Sequence, residues 1–247
     1  MAKIHFILQG KGGVGKSMIA SMLYQGLTEL CREDGRPVIA YDTDPVNATL
    51  KGFEEFNVHS VEIMKGADID PRKFDDLLES LVTSPESGHV IVDNGASSFV
   101  ALGSYLQENE VIPILTDRGH TVLFHSVVTG GQALGDTISG LEDLTQGFPD
   151  APIAVWLNPY FGEIASPDGR PFEQFGVYTE YEKQIVAVLR LPDENKATYG
   201  RDIEDLFAKK WSFLKGAKAA GKIAEQQRLM RYWKKILALV NNPNIME

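Results

Sequence analysis

Eight residues near the start of the chain limit its fold more than any other stretch. Residues 10–17 read GKGGVGKS and fit the phosphate-binding loop pattern G-x-x-x-x-G-K-[ST]. The apolar run 4–8 precedes the loop and predicts a buried strand, and residues 17–30 follow with helical periodicity. A strand that leads through a glycine-rich loop into a helix directs backbone N–H groups at one point, which suits a polyphosphate.

Two side chains of the loop have predictable tasks. Lys16 is expected to reach the outer phosphates, and the Ser17 hydroxyl is expected to ligate Mg²⁺. A chance glycine-rich turn is the alternative, but it would not need the flanking strand and helix. The predicted nucleotide cradle consists of Gly10, Lys11, Gly12, Gly13, Val14, Gly15, Lys16, Ser17 and Met18.

Acidic residues end two further apolar runs. Asp42 and Asp44 form a D-x-D pair after the run 37–42, and both side chains should point to the same face. Asp93 ends the run 89–93, as in a Walker B strand. Near a triphosphate, such carboxylates hold Mg²⁺ or orient water. A solvated turn of ordinary acids is the alternative, so the order of the three motifs carries the prediction.

Apolar runs alternate with helical patterns, which predicts an α/β fold: a single-domain P-loop NTPase, residues 1–247, with a mostly parallel twisted sheet flanked by helices on both faces. Ligands of such sheets sit at the carboxyl ends of the strands, where all these motifs lie. The predicted strands are 3–9, 37–42, 89–93, 111–115, 152–157 and 185–191, with a weaker one at 58–64. The predicted helices are 16–31, 71–81, 97–107, a pair within 120–146, 172–183, 201–211 and 218–240.

Composition indicates where the protein is found in the cell and excludes some kinds of site. The single cysteine, Cys31, excludes a disulfide framework within the chain and a four-cysteine metal site. The sequence begins without a signal-peptide pattern, and no apolar run approaches about 18 residues. The five histidines lack metal-ligand spacing and are expected to be packing or surface residues. We therefore expect a cytoplasmic protein.

Charge is distributed unevenly along the chain. The net charge is −10, yet residues 209–240 contain nine Lys or Arg and one acid, which gives them a formal +8 and the remainder −18. An acidic body argues against general coating of nucleic acid, whereas the basic helix 218–240 leaves contact with DNA or a membrane open. An apolar stripe on that helix favours packing or partner contact instead: Ile223, Met230, Trp233, Leu237 and Val240.

The second residue of the loop, Lys11, is not needed to bind a nucleotide within one chain. With this lysine, the loop resembles the deviant Walker A loop of the ParA/MinD superfamily, whose nucleotide-bound subunits pair face to face. The resemblance implies ATP and Mg²⁺ as cofactors and a nucleotide-dependent homodimer in which Lys11 reaches the nucleotide of the partner. It also implies that Asp44 positions the attacking water and that Asp42 and Asp93 support the metal.

This sequence departs from the superfamily pattern at two places. Val46 stands where glutamine is usual, and the turn 94–98 after Asp93 lacks the usual proline. The second switch is therefore expected at this turn, with its movement left open.

The same resemblance implies the base contacts. Asn158 follows the run 152–157 at the position where the superfamily places an asparagine on the adenine edge. A side-chain amide both donates and accepts hydrogen bonds, so it can read a purine; a loop-capping asparagine is the alternative. Pro192 and Asp193 resemble the second base-cradling loop.

A closer resemblance covers the chain from the first strand to beyond Arg201. Five runs resemble ParA-like proteins from the transfer regions of conjugative plasmids: LQGKGGVGKSMIA, DTDPVNAT, VIVDNGASSF, VVTGGQAL and VWLNPY. This implies a bacterial cytoplasmic ATPase that serves conjugal DNA transfer at the type IV secretion machinery. Components of that machinery are then the expected partners, with a peripheral position at the inner membrane as an alternative.

Three classes of function remain for comparison. The first is a dimerising, slowly hydrolysing ATPase switch with Lys11, Lys16 and Asp44 as catalytic residues; its runner-up form is a plasmid-partition ATPase that binds nonspecific DNA. The second is a small-molecule ligase or kinase, but no extra cluster of Arg, Lys or His marks a substrate pocket. The third is a module that uses nucleotide structurally, which the acids and Lys16 disfavour.

Overall fold

A seven-stranded sheet forms the centre of the molecule in the computed structural model, which describes residues 1–247. The strands are β1 Ala2–Ile7, β2 Val38–Asp42, β3 Val58–Ser60, β4 Met64–Lys65, β5 Asp68–Ile69, β6 Gly88–Asp93, β7 Thr121–Thr129, β8 Ile153–Asn158 and β9 Ile185–Arg190. The order in the sheet is β3-β2-β6-β1-β7-β8-β9, and every pairing in it is parallel. β4 and β5 form a separate antiparallel hairpin.

Helices cover both faces of this sheet. They are α1 Lys16–Leu30, α2 Phe74–Val82, α3 Phe99–Glu108, α4 Val111–Asp117, α5 Leu134–Gly147, α6 Gly176–Glu180, α7 Arg201–Ala208, α8 Phe213–Ala219, α9 Ile223–Val240 and α10 Pro243–Met246. Two apolar clusters, of 29 and 28 buried residues, lie on opposite faces, so neither face is left for solvent. This explains the near-continuous apolar character of the central strands. No helix combines the length and the apolar character needed to cross a bilayer.

The structure corrects the sequence prediction around residues 111–146. The predicted strand 111–115 is helix α4, which accommodates Pro113 in its first turn, where a missing N–H costs no helical hydrogen bond. The predicted helix pair within 120–146 is wrong: residues 121–129 form β7, and only α5 is helical. β7 is buried almost throughout between β1 and β8, so it lacks the alternation that marks a half-exposed strand.

The C-terminal region also differs from its prediction. The helix predicted at 218–240 begins at Ile223, and α8 precedes it as a separate helix capped by the Ser212 hydroxyl. Of the predicted apolar stripe, Trp233 and Val240 are buried, whereas Ile223 and Met230 are exposed. The helix predicted at 172–183 is shorter, a 3₁₀ turn followed by α6.

Helix α9 packs against α1. The Trp233 indole donates a hydrogen bond to Glu29, with an N–O distance of 2.9 Å. Gly26 allows the approach, because a Cβ there would lie 2.9 Å from the Val240 methyl groups. The side chains that α9 buries are Leu229, Tyr232, Trp233, Ile236 and Val240.

Four buried side chains form a hydrogen-bonded row across β8, β7, β1 and β6. The Trp156 indole donates to His125 Nδ1 at 2.9 Å, His125 Nε2 lies 2.9 Å from His5 Nδ1, and His5 Nε2 lies 3.0 Å from His89 Nδ1. Because an indole can only donate, each histidine is assigned as neutral with its proton on Nε2. The row links four parallel strands, and it ends at the buried His89 Nε2, which has no partner.

Candidate functional site

The phosphate-binding loop, residues 10–17, connects β1 to α1 at the carboxyl end of the sheet. Gly13 and Gly15 have φ angles of +74° and +106°, a region that favours glycine. Gly15 is the N-cap of α1, and no side chain caps this end. The first N–H groups of α1 are therefore available, together with the helix dipole, for an anion.

Lys16 lies across the inside of the loop. Its ammonium donates a hydrogen bond to the Lys11 carbonyl oxygen, with an Nζ–O distance of 3.0 Å. The side chain is buried, which lowers the pKa of Lys16, while Asp93 and Asp44 act in the opposite direction. Since its hydrogen-bond partner is a neutral carbonyl, the charge of Lys16 can pair with a phosphate.

The Lys11 side chain extends to an acid on α5. Its Nζ lies 2.6 Å from Asp136 Oδ2, and the two side chains are 44% and 59% exposed, so the pair contributes at most about 1 kcal/mol. The buried Gln9 accepts the Lys11 N–H at 3.3 Å and donates to the carbonyls of Val127 and Thr137. The local sequence does not indicate that Asp136 pairs with Lys11, because the two residues are brought together only by the fold.

Asp93, at the end of β6, is a buried acid close to Ser17. Neither of its carboxylate oxygens has a partner with hydrogen-bond geometry. Burial raises the pKa of Asp93 to about 7, and the nearby Ser17 hydroxyl offsets part of this rise. A buried carboxylate without a partner is costly, and a divalent cation would supply one. Ser17 and Asp93 therefore fit the predicted Mg²⁺ site.

Asp42 and Asp44 shape the loop after β2. Asp42 is buried, which raises its pKa, and its two oxygens accept the N–H groups of Asp44 and Lys51 at 3.0 and 2.9 Å. Asp44 Oδ1 accepts the N–H groups of Val46 and Asn47, both at 2.9 Å. Each carboxylate organises the local backbone, and their roles toward metal and water stay predictions.

A cavity of about 510 Å³ lies where these segments meet. Lys16, Ser17 and Asp44 line it together with Ser97 of the turn after β6. Lys11 does not line it, because its side chain turns to α5. The fold thus brings the predicted phosphate and water contacts together and leaves Lys11 outside the phosphate cavity of its own chain.

A second cavity, of about 350 Å³, shares Gly13, Gly15 and Met18 with the first and continues from it. The predicted base contacts Pro192 and Asp193 lie in its wall. So do polar residues and an aromatic residue that the sequence motifs did not indicate: Tyr160, Lys196, Glu204 and Lys210.

Asn158 also lines the second cavity, and both ends of its amide have protein partners. Nδ2 donates to the Val14 carbonyl at 2.9 Å, and Oδ1 accepts the Tyr160 N–H at 3.2 Å, which caps the turn Pro159–Phe161. One N–H and one lone pair remain available, so a contact with a base stays a prediction.

The parallel sheet, the loop between β1 and α1 and the acids that end β2 and β6 define a protein with a P-loop NTPase fold. The MinD cell division protein of Aquifex aeolicus has the same fold, with a TM-score of 0.50 and 16% identity over 96% of this chain and 97% of that one. The predicted fold class is confirmed.

Sequence relatives identify the family. A Protein TraL of Escherichia coli is 43% identical over 248 residues, which span the whole of both chains. A second Escherichia coli protein of that name is 45% identical over 214 residues, 86% of each chain. No protein-family model matches. The chain belongs to the TraL family.

Proposed function

We propose that this chain is an ATPase switch that converts ATP and water to ADP and phosphate, dimerises when ATP is bound and serves conjugative plasmid transfer. The observation that supports the dimer is the position of Lys11. Its ammonium lies outside the phosphate cavity of its own chain and is held only by an exposed ion pair. A second copy facing the loop would place a nucleotide within reach of a lysine in this position.

Within one subunit, the triphosphate would be bound by the loop N–H groups and the Lys16 ammonium. The buried Asp93 and the Ser17 hydroxyl would hold Mg²⁺, which when bound offsets the charge of the outer phosphates. Asp44 lines the same cavity and would orient the attacking water and accept its proton. Hydrolysis then weakens the contact with Lys11 of the partner, and the dimer separates.

The role in transfer rests on family membership and on the resemblance to proteins from conjugative transfer regions. Components of the transfer machinery would read the nucleotide state through the loops that follow β2 and β6, because these loops border the phosphate cavity. The site of action would be the bacterial cytoplasm or the cytoplasmic surface of the inner membrane.

Replacement of Lys11 by alanine tests the proposal. Lys11→Ala should bind a non-hydrolysable ATP analogue with nearly unchanged affinity, because Lys16 and the loop amides remain. Its ATP-dependent dimer should be lost, as measured by sedimentation velocity with ADP and with the analogue. Lys65→Ala, an exposed lysine on β4, is the control and should dimerise normally. Equal dimerisation of Lys11→Ala and wild type would refute the proposal.

A second candidate function is partitioning through nonspecific DNA. The observation that favours it is a set of exposed cations on and beside α9 that form no ion pair: Lys218, Lys222, Arg231 and Lys234. This candidate predicts ATP-dependent DNA binding that weakens steeply with salt. A gel shift at low salt with wild type and Lys234→Glu measures it, and no shift with wild type removes this candidate.

A further inference from the structure

The cavity of about 350 Å³ next to the phosphate cavity has the character of a nucleoside site. Its volume lies in the range of about 300–1,000 Å³ that is usual for small-molecule sites. Much of its wall is apolar, including Met18, Leu191, Ile203 and Phe207. In such a pocket the few polar groups decide which ligand fits. A role for those groups in binding a nucleoside rests on the proposed binding of ATP.

Most charged side chains at this cavity already have neighbours. Glu194 pairs with Lys235 of α9. The ammonium of Lys196 lies 5.3 Å from the centre of the Tyr160 ring, and that of Lys210 lies 5.8 Å from the centre of the Phe53 ring. Of the two remaining acids, Asp193 is an exposed loop residue without a partner, whereas Glu204, on α7, is held by a partner at one of its two oxygens.

That partner is Tyr160, in the 3₁₀ turn after β8. The Tyr160 hydroxyl donates a hydrogen bond to Glu204 Oε1, which joins this turn to α7 across the cavity wall. The hydrogen bond and the negative charge of Glu204 raise the pKa of Tyr160, so the hydroxyl remains a donor. Glu204 Oε2 makes no hydrogen bond or ion pair and can accept from a ligand.

We infer that Glu204 accepts a hydrogen bond from the nucleoside of the bound nucleotide and that Tyr160 positions its carboxylate. The group recognised is a hydrogen-bond donor on the nucleoside, either the ribose 2′-hydroxyl or the amino group of adenine. Glu204 is exposed in the free chain, so a nucleoside that covers its carboxylate without donating to it removes the carboxylate from water and supplies no new partner. This disfavours analogues that lack the donor. Glu204 is thus a residue that determines nucleotide specificity.

Calorimetric titration of the full chain tests this with three ligands in the presence of Mg²⁺: ATP, 2′-deoxy-ATP and purine riboside triphosphate, which lacks the amino group. Glu204→Ala should weaken ATP binding about tenfold and leave unchanged the affinity for the analogue that lacks the recognised donor. Glu204→Gln, which keeps a neutral acceptor, should give a smaller loss. Asp205→Ala, the neighbouring exposed acid outside the cavity, is the matched control.

The role of Tyr160 has its own readout. Tyr160→Phe should weaken ATP binding about threefold with the same pattern among analogues, and should have no further effect in the Glu204→Ala background, because the two residues act as a unit. Additive losses would show that Tyr160 acts independently.

The outcomes separate the two proposals. If wild type binds ATP but Glu204→Ala weakens all three ligands equally, or none, the inference about Glu204 is wrong and the ATPase proposal stands. If wild type binds none of the three nucleoside triphosphates, both the inference about Glu204 and the ATPase proposal are wrong.

Discussion

At the scale of single residues, Gly95 controls where the Asp44 carboxylate can lie. A Cβ at position 95 would be 2.7 Å from Asp44 Cγ, closer than such contacts allow. Gly95→Ala should therefore displace Asp44 and lower the rate of phosphate release at least about tenfold, because small misplacements of a reacting group are costly. Nucleotide affinity should change little, since the loop amides and Lys16 are untouched.

Gly103→Ala on α3 is the matched control, because an added methyl group meets no atom within 4 Å there. Phosphate release and nucleotide binding are measured on both variants. If Gly95→Ala releases phosphate as fast as Gly103→Ala, Asp44 does not act on the water in the position described.

Residue patterns predict some parts of the site and not others, for a physical reason. The loop lysines, Ser17 and the acids lie in short motifs, where spacing alone places them at strand ends. Asp136 and Glu204 lie on helices and reach the site only because the chain folds back. Side chains that meet through tertiary structure have no local signal, so a sequence pattern does not reveal them.

At the scale of elements, contacts between distant residues also explain why residues 121–129 form the strand β7 and why the sequence does not predict it. The strands β1, β6 and β8 are predicted from apolar runs that lead into motif residues, but β7 leads into no motif and has two adjacent polar residues, His125 and Ser126, in the middle of its buried run. A buried histidine is acceptable there because His5 and Trp156, far away in sequence, supply its hydrogen bonds. Without those partners in view, the adjacent polar residues interrupt the apolar run of residues 121–129, and the strand is missed although most of its residues are β-branched or aromatic.

The row of histidines makes the stability of the sheet depend on pH. Burial, with the nearby charges of Arg36 and Lys3, lowers the pKa of His89 to about 4, and Asp34 acts in the opposite direction. The unfolded chain takes up the proton of this histidine near pH 6.5. The contribution of neutral His89 to the free energy of unfolding is therefore complete above that pH and is lost as the pH falls toward 4. The loss is about 3 kcal/mol.

His89→Asn isolates this effect. The asparagine oxygen can accept the His5 N–H as His89 Nδ1 does, but it does not titrate. Urea unfolding between pH 7 and 4 should show wild type losing about 3 kcal/mol more than the variant. The contribution of Asp93 is present in both proteins and cancels. Parallel curves would mean that His89 is protonated in the folded state as easily as in the unfolded chain.

At the scale of the whole molecule, the basic helix α9 is part of the core and not a detachable arm. It buries five side chains against α1 and α8, each worth about 1.5–3 kcal/mol. Their sum, on the order of 10 kcal/mol, is comparable to the total stability of a typical domain, about 5–15 kcal/mol. Undocking α9 to reach a membrane or DNA would therefore unfold the protein, so any anionic partner must meet its exposed basic face.

Two apolar residues of the same helix test this directly. Trp233→Ala should lower the free energy of unfolding by about 3–5 kcal/mol, because the indole is 3% exposed and donates to Glu29. Ile223→Ala should cost less than about 0.5 kcal/mol, because that side chain is 79% exposed. Chemical denaturation measures both. Equal, small losses would show that α9 is loosely attached, and the helix itself, rather than its outer face, would then be free to bind a surface.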